Sequence, residues 1–508
     1  MFTSPSASAL SRRQLLKSLA AFSATAVLAG CNKSQMISTS PTPASASGYG
    51  QPVPVGAISQ GLVNVLANAA GSIGAEFTGL SYEKSVIAGS LFSDKNEDMI
   101  SLFRLLGPGV LRLGGFAVDQ FVWQPKGQGG TAWKIGPPDV DALASFLSST
   151  GWRCIYGINL GQAATGLTTP ELAAAEASYV AQKLGSSLVG IEIGNECDGY
   201  GAPGSFFAGN WSLAQFESLW NQFRTAIVAA VPAIQIVGPA SGSNVANWTV
   251  PFGQTFTRKS LSLMTQHYYR GDGKSSNATA ANLMAPDANL AKCLGMLSTS
   301  SQSTGIPFRL GECNSYYNGG AAGISNSYAS SLWVIDFLFN SALGGAAGVN
   351  LHGGGSYAGY TPIADKAGAV VEVRPEFYGM MLFALVGQGT LYQTSLSVGG
   401  INTTAYAVKD SAGNMNLVIV NKDANQNLQL SVSLPQKARS ASLITMTQNA
   451  AGLEAPNLAA TSGITIQDST IAANGTFRPS PSYSLSAGSS QISCYVPALS
   501  AVLIKTTL

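Results

Sequence analysis

Between residues 73 and 386, short apolar runs alternate with helical patterns, and this alternation constrains the fold more than any other feature. The runs are IGAEFTGLSYE (73–83), GVLRLGG (109–115), RCIYGINL (153–160), LVGIEIGNE (188–196), IQIVGPA (234–240), LSLMTQHYY (261–269), PFRLGE (307–312) and AAGVNLHGG (346–354). Helical patterns lie between them, among them 139–150 behind Pro-Pro, 169–185 opened by Thr-Pro and closed by Gly185, and 212–231. Eight strands alternating with helices over about 310 residues match the count and size of a (β/α)8 barrel with insertions. An open doubly wound sheet would be favoured by a glycine-rich phosphate loop after the first strand, and FTGLSYEKS is not one. The predicted fold class is α/β, a (β/α)8 TIM barrel.

Past residue 389 the period changes. LYQTSLSVGGINTTAYAVKD, NMNLVIVNKD, NLQLSVSL and ISCYVPALSAVLIKTTL are short strands with Gly, Asn and Asp turns, which predicts a C-terminal antiparallel β-sandwich over 389–508. The barrel is expected over 55–388, with GLVNVLANAAG (61–71) available to the β-domain instead. Two domains suit 508 residues.

The N-terminus reads as a targeting segment. SRRQLLK (11–17) is a charged n-region followed by a 13-residue apolar run at 18–30, shorter than the roughly 20 residues that span a bilayer. The twin arginines fit a twin-arginine export signal, and LAGC (28–31) resembles a lipobox that would make Cys31 a lipidated first residue. Residues 1–31 are thus expected to export the chain to a bacterial envelope or periplasm, with contact to membrane only through the lipid. Residues 32–54, rich in Ser, Thr and Pro, read as a tether. The five other cysteines show no metal-ligand spacing. With 10% charged residues and a net charge of +2, the chain lacks the basic face that nucleic-acid binding needs.

Active sites of such barrels sit where strands end at their C-terminal side. Glu196 closes the fourth run and Glu312 the seventh, on opposite sides of the barrel. Two carboxyl groups facing each other across one bond are what glycoside cleavage needs, one as proton donor and one as nucleophile or base. Arg112 follows the second run, His267-Tyr268-Tyr269 end the sixth, Tyr316-Tyr317 follow the seventh, and HGGGSYAGY (352–360) follows the eighth. Aromatic rings suit the C–H faces of sugars. Two histidines without a carboxylate motif beside them argue against a metal site, and GPASGS around Ser241 lacks the nucleophile-elbow pattern of serine hydrolases. No cofactor is expected.

FTGLSYE, VLRLGG, IEIGNE, QHYYRGDG, FRLGECNSYYNGG and the C-terminal GTFRPSPSYSLSAGSSQISCYVPALSAVLIK resemble glycoside hydrolase family 79, within the retaining hydrolases of clan A. The resemblance covers roughly 55–508 and implies an exo-acting β-glucuronidase that removes terminal glucuronate, including a 4-O-methylated one, from a plant or microbial oligosaccharide or glycoside. It implies that Glu196 is the acid/base and Glu312 the nucleophile, and that Asn195 bonds the sugar 2-hydroxyl. It further implies that Tyr317, Gly319 and Tyr360 hold the sugar carboxylate, with Tyr268 lining the same pocket. Alternatives are an endo-acting heparanase-like enzyme, a neutral-sugar hydrolase of the clan, and an inactive carbohydrate-binding surface lipoprotein.

Overall fold

The computed structural model describes residues 49–209, 211–357, 359–449 and 456–508. The export segment, Cys31 and residues 32–48 of the expected tether lie outside the described residues. Among those described, no helix is long and apolar enough to cross a membrane.

Eight parallel strands hydrogen-bond in sequence order, and the last closes on the first: Gly79–Glu83, Val110–Gly114, Arg153–Ile158, Leu188–Ile193, Ile236–Ser241, Leu263–Asp272, Phe308–Tyr317 and Val349–Gly353. Parallel barrel strands are covered on both faces, so their residues are buried almost without alternation, as along Val110–Gly114. Two expected spans are corrected. Ile73 ends a separate strand, so the first barrel strand begins only at Gly79. The seventh runs five residues past Glu312, to Tyr317.

The intervening helices are capped by their own sequence. Thr169 accepts from the Leu172 amide ahead of Pro170–Leu184, Ser212 caps Leu213–Ala230, and Asp287 caps Ala288–Thr304 through the Asn289 and Leu290 amides.

The C-terminal strands form one sheet that also takes in Ile58–Ile73, which pairs antiparallel with Gly389–Ser397 and parallel with Asn427–Ser433. Alternation within its strands makes two apolar layers. Leu417, Ile419, Leu430, Val432, Cys494, Val502 and Ile504 pack together between opposite ends of the strand order, so the sheet folds over on itself as a sandwich. Val418, Val420, Ala501 and Leu503 face the other way and join the barrel's core. Helix Tyr328–Leu343 completes this junction with polar links. The Tyr328 hydroxyl donates to the Leu499 carbonyl at 2.7 Å, and Asp336 accepts from Thr404, Tyr406 and Lys422. All five described cysteines are buried and unpaired, as small core residues.

Candidate active site

The fourth strand stops at Ile193, and Gly194, with φ of 82°, turns the chain into Asn195-Glu196. Glu196 itself has φ of 48°, a left-handed conformation uncommon outside glycine. Its backbone is pinned there by an N–H bond to the Ala240 carbonyl at 2.8 Å. A Cβ on Gly242 would stand 3.0 Å from Glu196 Oε1, so a bare backbone beside the carboxylate leaves it room. Almost half of the Glu196 side chain is exposed, and Oε1 meets His267 Nδ1 at 3.1 Å.

Glu312 is buried across the barrel from it. Tyr269 donates to its Oε1 at 2.9 Å and Arg112 Nη1 to its Oε2 at 2.8 Å. Burial alone would raise the Glu312 pKa, but the His352 and His267 imidazoles, the Arg112 guanidinium and the Tyr269 hydroxyl outweigh it. Together they hold the carboxyl well below the usual carboxylate range. Burial and the Glu312 charge push the Tyr269 hydroxyl well above its ordinary value, so it stays a donor. An oxygen of Glu196, a ring nitrogen of His267 and an oxygen of Glu312 lie within 4.8 Å of one another.

Arg112 ties the floor together. It is fully buried, and besides Glu312 it reaches Glu192 at 2.6 Å, Ser81 at 3.2 Å and the Asn195 carbonyl oxygen at 2.8 Å. Glu192 takes a second bond from Thr265 at 2.6 Å, so the buried ion pair is hydrogen-bonded on both sides. Guanidinium only donates, so the Asn195 atom facing it must be the carbonyl oxygen; the amide NH₂ is left to donate elsewhere. The trio Glu196, His267 and Glu312 has donor atoms close enough for a cation. Any such ion would sit against the Arg112 charge, which already neutralises Glu312.

Tyr317, Gly319 and Tyr360 come together at one side of the mouth. The Tyr269 ring lies 6.4 Å from that of Tyr317 and 5.8 Å from that of Tyr360, which is in turn 5.9 Å from His352. Gly319 has φ of 84° and approaches the Tyr357 ring so closely that a Cβ would sit 3.2 Å from it. Tyr268 is a correction. Side chains alternate along a strand, so with His267 and Tyr269 facing the glutamates Tyr268 points outward. It stacks on Phe337 and gives its hydroxyl to the helix-capping Asp287 at 2.7 Å.

Sequence reasoning assigned no role to Glu83, Glu192 or Tyr269. Glu83 ends the first strand, accepts from the Ala117 amide at 2.7 Å and stands 3.8 Å from His352 Nε2. Burial raises its pKa, only partly offset by His352 and that amide. The strand-end rule that singles out Glu196 would have found it.

Comparison with known proteins agrees with this arrangement. No family model matches the chain. It is 24% identical over 369 residues to a β-glucuronidase of Aspergillus niger, covering 65% of this chain and 67% of that one. It is 26% identical over 274 residues to a β-glucuronidase of Neurospora crassa, covering about half of each, 49% and 48%. Among solved structures it is similar to a 4-O-α-L-rhamnosyl-β-D-glucuronidase from Fusarium oxysporum, with TM-score 0.69 and 16% identity over 88% of this chain and 99% of that one. A family 51 arabinofuranosidase from Xanthomonas axonopodis superposes with TM-score 0.63 and 15% identity over 89% and 100%. With a closed eight-stranded barrel, an appended β-domain and these relatives, the chain is a glycoside hydrolase similar to β-glucuronidases.

Proposed function

We propose that the chain is a retaining, exo-acting β-glucuronidase in which Glu312 is the nucleophile and Glu196 the acid/base. One observation carries the reading: two carboxyl groups on opposite strands with oxygens within 4.8 Å, close to the separation of about 5–5.5 Å that retention needs and too close for an interposed water. The half-exposed Glu196 meets solvent and the departing group, whereas Glu312 is held anionic beneath the sugar.

Glu312 attacks the anomeric carbon as the glycosidic C–O bond breaks, and Glu196 passes its proton to the leaving oxygen. Glu196 then takes a proton from water while the water oxygen displaces Glu312, giving product of unchanged configuration. The Asn195 amide, oriented by Arg112, bonds the 2-hydroxyl as positive charge builds at the anomeric carbon. Tyr317, the backbone around Gly319 and Tyr360 take the sugar carboxylate by charge-assisted hydrogen bonds that need no cation.

The charge distribution speaks for the exo reading over cleavage within an acidic polymer. Arg112 is spent on Glu192 and Glu312, and Arg270 on Asn282 and Asp287, so neither offers a free charge to an acidic cleft. The same proposal includes export, with residues 1–31 carrying the chain to the envelope and Cys31 lipidated. The test is hydrolysis of 4-nitrophenyl β-glucuronide against the matching glucoside and xyloside. The reading expects the glucuronide to be preferred by at least about a hundredfold; equal rates on the three would reject it.

A further inference from the structure

The exposed large apolar side chains at the barrel mouth fall into two groups. Tyr317 and Tyr357 stand on the loops after the seventh and eighth strands, where the sugar carboxylate is assigned. Phe116, Trp133 and Leu167 stand on the loops after the second and third strands, and no part of the proposed mechanism uses them. Trp133 and Leu167 form the apolar wall of a groove of about 480 Å³ whose polar lining is Gln120, Gln124, Gln162 and Lys134, with no carboxylate.

Trp133 is 46% exposed, and it is held there at a cost. Its φ is 64°, a conformation that bulky side chains avoid and that persists only where surrounding structure over-determines it. Here the Val122 amide bonds the Trp133 carbonyl at 3.1 Å within a short ribbon pairing Val122–Trp123 with Lys134–Ile135. The indole lies tilted against Phe121 at 5.6 Å between ring centres, and nearly half of the residue remains exposed. An exposed indole beside three amides is a surface for a neutral pyranose, with C–H groups on the ring and hydroxyls on the amides.

The groove is tied to the site through hydrogen bonds. Gln120 follows Asp119, whose carboxylate accepts from the Tyr200 hydroxyl at 2.5 Å, and Tyr200 accepts from the Asn195 amide at 3.2 Å. It therefore lies two hydrogen bonds from Asn195, on the side of strands two to four, with the proton donor of strand four and away from the carboxylate-binding tyrosines. The leaving group departs from the proton donor's side.

We infer that this groove binds neutral sugars of the aglycone, so that the enzyme selects oligosaccharides bearing glucuronate over simple glucuronides. This inference rests on the glucuronidase reading. The probes are β-glucuronosides of one, two, three and four β-linked neutral hexoses, compared with 4-nitrophenyl β-glucuronide. With wild-type enzyme, kcat/KM is expected to rise about tenfold or more from one hexose to three. Trp133→Ala should lose that rise and Trp133→Tyr should keep most of it, with thermal unfolding recorded for each. Leu167→Asp, at an exposed position that folding tolerates, should cut the rise several-fold even if Trp133→Ala fails to fold. A flat response to length in the wild type, or a full rise retained in Trp133→Ala or Leu167→Asp, overturns the groove assignment. A wild type that cleaves neither the four oligosaccharides nor the aryl glucuronide overturns the glucuronidase reading instead.

Discussion

Replacing Arg112 by lysine keeps the charge but removes the fork. The guanidinium donates to Glu192 at 2.6 Å, to Glu312 and Asn195 at 2.8 Å each, and to Ser81 at 3.2 Å, from three nitrogens aimed in different directions. One ammonium cannot occupy all three positions, so at least one charge-assisted bond is lost, worth about 1.5–3 kcal/mol. If the Glu312 bond is the one lost, its pKa rises. In the proposed mechanism attack needs the Glu312 anion, so activity should disappear as pH falls through that pKa. The acid limb of the kcat/KM profile should therefore move to higher pH, and kcat/KM on the alkaline side should fall roughly ten- to a hundredfold.

The stability sign follows separately. Glu312 is depressed below 4.5, so its share of stability is present above the unfolded value and is lost only as pH falls through the lower folded one. Weaker support from residue 112 narrows that window from below. Both quantities can be read on one variant, from pH–rate profiles on 4-nitrophenyl β-glucuronide and urea unfolding. An Arg112→Lys enzyme that loses stability but keeps the wild-type acid limb would refute the electrostatic argument and leave Arg112 as structural support alone.

Tyr269→Phe removes one bond to Glu312 and should lower kcat/KM by roughly ten- to a hundredfold, whereas Tyr268→Phe loses only its bond to Asp287 and should change stability more than turnover; steady-state kinetics and thermal unfolding of the pair decide between the two tyrosines. Glu376 is buried with one oxygen unpartnered, and desolvation drives its pKa well above 4.5 despite the bond from Asn314. The native state thus keeps a proton that the unfolded state releases, so stability declines as pH rises above 4.5, by up to about 1.4 kcal/mol per pH unit. Glu376→Gln should unfold at higher urea than wild type at pH about 8 and converge with it toward pH about 4.5.

The barrel was legible because eight apolar runs at helix-containing spacing leave few alternatives, and Glu196 and Glu312 because carboxylates ending such runs point to the mouth. The parity of the sixth strand was not. His267, Tyr268 and Tyr269 are three consecutive polar-tipped residues, and the contacts of His267 with Glu196 and of Tyr269 with Glu312 show which two face inward. Thr265, bonded to Glu192, continues the same inward row, so polar residues at alternate positions 265, 267 and 269 were the available signal. Arg112 was visible as a strand-end cation, but its partners Glu192 and Asn195 lie some 80 residues away. Sequence spacing does not show a buried pair between the second and fourth barrel strands. The exposed Trp133 depends on a left-handed backbone at a bulky residue, which the nearby Gly129 and Gly130 do not announce.

Trapping the covalent intermediate tests the central pairing most directly. After incubation with a 2-deoxy-2-fluoro-β-glucuronyl fluoride, peptide mass spectrometry should find one fluoroglucuronyl group, esterified to Glu312. A label on Glu196 or Glu83, or turnover with inverted product and no adduct, would contradict the assignment of Glu312 as the attacking group.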